Sequence, residues 1–211
     1  MREARKFISS ESGATAAEFA MILPVFILFL LGTIDLGHYA WKRNLAEKAT
    51  QVGARWAVAT DIIPSGLYSY SFATSDDLPQ GSVVPRTRFP GVVCQDNGGG
   101  LRCDCAAGGR CNFGLTPNTT AFNRLVAQMN QVYTMGGNAA STIGPRNVVV
   151  TYSWSGLGFA GDPNGPDVAP LTTVSLKDME FNSILLLGGT VRMPAFPYTL
   201  PMEDGSGTTS N

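Results

Sequence analysis

The chain has 211 residues, enough for one modest domain plus an additional short segment. Its net charge of −1 and its 15 % of charged residues, against a usual share of about 25 %, exclude a nucleic-acid binder built on a basic face. The 24 glycines and 13 prolines predict a turn-rich body suited to the outside of a cell, and much of the 44 % hydrophobic content is gathered near the N-terminus.

Residues 1–12 are short and polar, with Arg2, Arg5 and Lys6. After Gly13 and Ala14 the chain reads TAAEF, and 19–34 (FAMILPVFILFLLGTI) carries no charged residue. That run makes about 24 Å of helix, a little short of a hydrocarbon core of about 30 Å. Extending it back to Ala14 gives the length but brings Glu18 into the bilayer, and a carboxylate there costs about 2.5–3.5 kcal/mol unless it is partnered. A plainer reading is that Glu18 marks the helix start, where an acid suits the positive end of the helix dipole. Pro24 removes one backbone donor, either as a tolerated membrane proline or as a kink. A cleaved secretory signal fits poorly, because Glu18 stands at the entrance of the run and Asp35 follows it in place of a small-x-small site.

The helix is predicted to continue past Asp35. His38, the one histidine, lies with Tyr39 and Trp41 in the position of an interfacial aromatic belt. Leu45, Ala49, Val52, Trp56, Ala59 and Ile63 recur at steps of three and four along one face, and Pro64-Ser65-Gly66 stops the helix. This stripe is expected to pack on the chain's own sheet, while Ala49, Gly53 and Ala57 would also admit a partner helix.

From 65 to 118 the sequence is rich in Gly, Pro, Ser and Asp, which predicts long loops with short strands around Val83-Val84 and Val92-Val93. All four cysteines, Cys94, Cys103, Cys105 and Cys111, fall in this segment. Outside the cytoplasm they predict two disulfides. Pairing Cys103 with Cys105 is disfavoured, which leaves 94–103 with 105–111 or 94–105 with 103–111. Zinc is a weaker reading, because the spacing lacks paired C-x2-C knuckles.

Residues 121–135 form an amphipathic helix, with Phe122, Leu125, Val126, Met129, Val132 and Tyr133 on its apolar face, caps available at 118–120 and Gly136-Gly137 to close it. Strands follow. Val148, Val150, Tyr152 and Trp154 alternate, and Thr172, Val174 and Leu176 repeat the pattern across a long connection. Asp162, Asn164 and Asp167 in that connection would suit calcium, but the nearby prolines favour a plain turn. A short apolar run at 184–187 and a last strand broken by proline (TVRMPAFPYTL) complete the body, and 202–211 is expected to be disordered.

Gly13, Ala14 and Glu18, followed by Phe19, Ala20, Pro24 and Asp35 around a long apolar run, resemble the processing site of type IV prepilins and, more specifically, the TadE-like family of pilus-assembly proteins. About 30 residues carry this resemblance strongly. It implies a cut between Gly13 and Ala14 by a prepilin peptidase, with Glu18 as the fifth residue of the mature chain. It also implies a single-pass protein of a bacterial inner membrane, its N-terminus cytoplasmic and its body extracytoplasmic. The basic residues alone leave the orientation open, since Lys42, Arg43, Lys48 and Arg55 follow the run.

The expected fold class is therefore α+β: a long N-terminal transmembrane helix leading into a small antiparallel sheet domain with one further amphipathic helix. The expected organisation is a leader at 1–13, the helix at 14–63, an extracytoplasmic domain at 64–201 with its cysteine-rich loop at 94–111, and the tail at 202–211. The expected function is that of a minor pilin or pseudopilin of a tight-adherence (Flp) pilus system. Its partners would be the lipid bilayer, other pilins and assembly components, and the prepilin peptidase. The alternatives are an uncleaved membrane-anchored adhesin or binding module, and a secreted disulfide-bonded domain. No enzyme activity and no cofactor are expected: one histidine excludes a two-histidine metal site, and no Gly-rich phosphate loop with its lysine is present.

Overall fold

The computed structural model describes residues 11–106, 109–135, 142–163, 165–203 and 205–207, and side chains from residue 15 onward. Its first element is a single helix, α1 (Glu11–Ala59), which runs unbroken through Pro24. Two one-turn helices follow, α2 (Ser65–Tyr68) and α3 (Phe72–Ser75), then the strands β1 (Val92–Asp96) and β2 (Leu101–Cys105) and the helix α4 (Thr119–Thr134). A short 3-10 helix (Pro145–Asn147) leads into the remaining strands: β3 (Val148–Ser153), β4 (Leu171–Leu176), β5 (Glu180–Asn182), β6 (Thr190–Arg192) and β7 (Phe196–Pro201). The fold is α+β, a long apolar helix followed by a small antiparallel sheet with a further helix.

The chain divides into two compact units, Met1–Lys42 with Glu180–Arg192, and Arg43–Met179 with Met193–Asn211. In the larger unit five antiparallel strands lie in the order β2-β1-β3-β4-β7. Alternation builds this sheet. Val148, Val150 and Tyr152 on β3 are buried, as are Thr172, Val174 and Leu176 on β4. The proline-broken last strand divides in two: Thr190–Arg192 joins β5 in the smaller unit, and Phe196–Pro201 becomes the sheet edge against β4. An edge tolerates Pro197 and Pro201 because one of its sides needs no donor.

Helix α4 begins where Asn118 accepts the Ala121 amide at 3.0 Å, and buries Phe122, Leu125, Val126, Met129 and Tyr133. The expected closing glycines, Gly136 and Gly137, lie outside the described residues. In the outer part of α1 the buried face is turned about one position from the expected stripe. Ala46, Ala49, Thr50, Gly53, Ala54, Ala57 and Val58 are buried, whereas Leu45, Val52 and Trp56 are only half-buried. Close approach is the reason: a Cβ on Gly53 would stand 2.7 Å from Cγ and Sδ of Met129. The small residues thus seat α4 of the same chain. Gly53→Leu is expected to cost about 1–3 kcal/mol by overpacking, and Met129→Ala in the same chain to recover part of it, as read by denaturant unfolding.

The helix also ends at Ala59, four residues before the expected stop. The amides of Asp61 and Ile62, which would continue the ladder, donate to the carbonyls of Gly207 and Gly205 at 2.9 and 3.2 Å. The Val58 carbonyl takes the Glu203 amide at 3.2 Å instead, and Thr60 bonds back to Trp56 at 2.7 Å. Described residues of the tail thus compete for the helix end, and Met202 among them is buried.

The loop-rich segment holds more structure than its composition suggests. Val83 makes only an isolated bridge, to Phe159, while Val92 and Val93 open a full strand. Phe72, Phe89 and Phe113 are buried and, with Tyr70, form a cluster of edge and tilted ring contacts with centroids 4.8–6.2 Å apart. The Asp167 carboxylate accepts the amides of Phe72 at 2.6 Å and Asp162 at 3.1 Å, so it ties the β3–β4 connection to the start of α3.

Tyr152 is fully buried, and its hydroxyl accepts the Ile63 amide at 3.1 Å. Desolvation raises its pKa above the ordinary tyrosine value, partly offset by that hydrogen bond; burial raises Tyr133 and Tyr70 as well, with the neighbouring Asp76 adding to the rise at Tyr70. The folded state therefore holds these protons more tightly than the unfolded chain does. Their contribution is complete below about pH 10 and is lost as pH climbs above it. Denaturant titrations at pH 8 and pH 11 should show lower stability at the higher pH, with a smaller loss in Tyr152→Phe.

Candidate membrane anchor and its hairpin clasp

The smaller unit contains α1 as far as Lys42 and the β5–β6 hairpin. From Phe19 to Leu30 the helix exposes Phe19, Met21, Ile22, Val25, Phe26, Leu28 and Phe29, and Ile34 and Leu36 continue this surface. Thr33 hides its hydroxyl on the Leu30 carbonyl at 2.8 Å, which keeps the run apolar. The segment Thr15–Ala59 is the one described helix long and apolar enough to cross a membrane. A helix satisfies its own backbone, and an uncovered apolar surface of this length is stable in lipid and costly in water.

Gly13 and Ala14 lie in the first turn of α1, and Glu18 follows one turn after Ala14 on an exposed position. The backbone thus brings the residues of the expected processing site onto adjacent turns. Residues 1–10, which hold most of the expected leader, lie outside the described residues.

Asp35 has a role that its place in the motif did not reveal. Its side chain is buried at 8 % exposure, beside the hairpin. The Ser183 hydroxyl donates to its carboxylate, as do the amides of Ile184 at 3.0 Å and Leu185 at 3.4 Å. One carboxylate with three donors is a strong local clasp, since bonds to a charged acceptor exceed neutral ones. One turn further out, His38 and Tyr39 make T-shaped ring contacts with Phe181, with centroids at 5.2 and 5.3 Å. Two of the three residues of the expected interfacial belt are therefore partly engaged by the hairpin, while the third, Trp41, is exposed. Sequence reading missed Ser183 and Phe181. A signal was present, because Asn182-Ser183 and Gly188-Gly189 bracket the apolar run as turn residues.

In the larger unit the cysteines take the first of the two pairings left open, Cys94 with Cys103 and Cys105 with Cys111. Cys94 and Cys103 face each other across the β1–β2 ladder, and the second bridge ties the end of β2 to the loop beyond it. With their sulfurs joined in disulfides, these cysteines do not form the thiolate set zinc would need.

These features define a class: an α+β body with two disulfides, carried on one membrane-length apolar helix near the N-terminus. The model of the TadE-like protein family matches residues 13–55, the stretch that holds Gly13, Glu18, Pro24 and Asp35. The match covers the N-terminal part of the chain and relates that segment to TadE-like proteins. No curated protein and no solved structure matches the chain.

Proposed function

We propose that the chain is a minor pilin or pseudopilin of a tight-adherence (Flp, type IV-like) pilus system, acting through helix packing and protein contacts and not through catalysis. The observation that carries this reading is the TadE-like match over a helix that is apolar and largely exposed from Phe19 to Ile34, with an acid one turn behind a Gly-Ala pair. In this reading residues 1–13 are a cytoplasmic leader, α1 spans the inner membrane once, and 64–201 lies outside the cytoplasm, where its disulfides persist.

A prepilin peptidase hydrolyses the amide between Gly13 and Ala14, leaving the Gly13 carboxylate on the leader and an ammonium on Ala14. Glu18, about 6 Å further along the helix, then has an opposite charge within reach, from its own chain or from a staggered neighbour. Pairing offsets part of the cost of a carboxylate in lipid. The large disulfide-bonded body suits a low-copy accessory subunit.

The test is extraction and topology. The protein should stay with the membrane in alkaline carbonate, its body should be cut by protease added outside the inner membrane, and it should co-purify with pilus components in mild detergent. A membrane protein that never co-purifies with them would instead be the free-standing anchored adhesin. A soluble product would overturn the anchor itself.

A further inference from the structure

The hairpin Glu180–Arg192 ends in four consecutive apolar residues, Ile184, Leu185, Leu186 and Leu187, all exposed, with Leu187 at 97 %. Soluble turns carry polar residues at such a tip. This one also holds Leu187 at φ +50°, a left-handed backbone that a leucine rarely adopts, while the side chain points away from the fold. The tip buries little of its own apolar surface, so its form is not explained by packing.

Two further observations say what covers it. The first is depth. Leu185 Cδ2 lies 3.9 Å from where a Cβ on Gly32 would stand, and Asp35 holds the amides of Ile184 and Leu185. The hairpin therefore runs back along α1 into its uncharged stretch. The polar residues of the hairpin lie at its other end, where exposed Glu180 is in register with exposed Arg192, at the level of His38 and Tyr39 through Phe181. Helix and hairpin share one polarity gradient, apolar toward Gly32 and polar toward Tyr39.

The second is that the donors of the turn are paired. Every amide from Ser183 to Gly189 has a partner. Ser183 donates to Gly189 at 2.9 Å, Ile184 and Leu185 to Asp35, Leu186 to the Ser183 hydroxyl at 3.1 Å, Leu187 to Ile184 at 3.0 Å, Gly188 to Ser183 at 2.9 Å, and Gly189 to Leu186 at 2.9 Å. Surface turns leave such groups to water, whereas a turn that enters lipid must satisfy them internally.

We propose that residues 184–187 are a second membrane contact, a hairpin tip that dips into the acyl chains beside the Gly32–Asp35 end of the apolar stretch of α1. The contact rests on the membrane-spanning reading of that helix. Asp35 is its positioning residue: the carboxylate that would otherwise end the apolar span is spent on the turn, so helix and tip enter the bilayer together. Such a tip fixes the rotation of α1 about its axis, because only one side of the helix carries it.

The test uses the full chain in phospholipid vesicles, with p-benzoylphenylalanine in place of Leu187 or of Phe26. Both side chains are exposed, so neither change disturbs packing. On irradiation, position 26 should give lipid adducts by mass spectrometry, and position 187 should give them at a yield within about threefold of that. Lipid adducts at 26 with protein adducts alone, or none, at 187 would overturn the tip contact while leaving the spanning helix intact. Absence of lipid adducts at 26 would overturn the spanning reading, and the tip contact with it.

Discussion

Asp35→Ala is expected to free the hairpin Glu180–Arg192 from α1 while leaving the helix formed. The substitution removes the acceptor used by the Ser183 hydroxyl and by the amides of Ile184 and Leu185. It also loosens Leu186, whose amide depends on the same serine oxygen. Charge-assisted bonds are worth more than neutral ones, so hydrogen exchange at Ile184, Leu185 and Leu186 should accelerate by about tenfold or more. Asp35→Asn keeps one carbonyl oxygen and loses the charge, so its exchange rates should fall between those of the wild type and Asp35→Ala. Ser183→Ala should release Leu186 most, because that amide loses its acceptor outright. Unchanged protection in Asp35→Ala would mean that the hairpin is held by Phe181 and its ring contacts, with the carboxylate incidental.

The second large effect belongs to the β1–β2 bridge. Removing it as Cys94→Ala with Cys103→Ala should lower the stability of the larger unit by about 2–3 kcal/mol, as expected for a loop of this size. The two cysteines are nine apart in sequence, and both are buried. The second pair, six apart, closes a smaller loop outside the ladder, so Cys105→Ala with Cys111→Ala should cost less. Denaturant unfolding monitored at Trp154, whose indole donates to the Val84 carbonyl at 2.8 Å, reports on both variants. An equal and negligible loss in both would show that the ladder holds without its staple.

What the sequence made legible follows from the range of the forces involved. The apolar run and the strand alternation at Val148, Val150, Tyr152 and at Thr172, Val174, Leu176 are local patterns, and each became the element its period predicts. The two readings of the cysteines differed by a register that spacing does not carry. The pairing of Cys94 opposite Cys103 resolves it; Val92-Val93 announced β1, whereas β2 was hidden in glycine-rich surroundings.

The outer half of α1 shows the limit of periodicity. Its largest apolar residues traced a stripe, but the buried face follows the smallest ones, because Met129 on α4 needs the room at Gly53. The helix end at Ala59 and the placement of the tail were illegible together, since each depends on hydrogen bonds with the other across the length of the chain. The role of Asp35 was hidden for the same reason. Its serine partner lies 148 residues away, and the acid stands in the motif as a boundary marker with nothing local to show what it binds.

Processing ties the N-terminal residues to the proposed pilus role more directly than any structural variant. The measurement is the intact mass and N-terminal sequence of the protein recovered from cells with and without the prepilin peptidase. The account predicts a chain that starts at Ala14 when the peptidase is present and keeps residues 1–13 when it is absent. A chain that retains residues 1–13 in both strains would contradict it, leaving Glu18 without the Ala14 ammonium and the protein as an anchored body outside the pilin pathway.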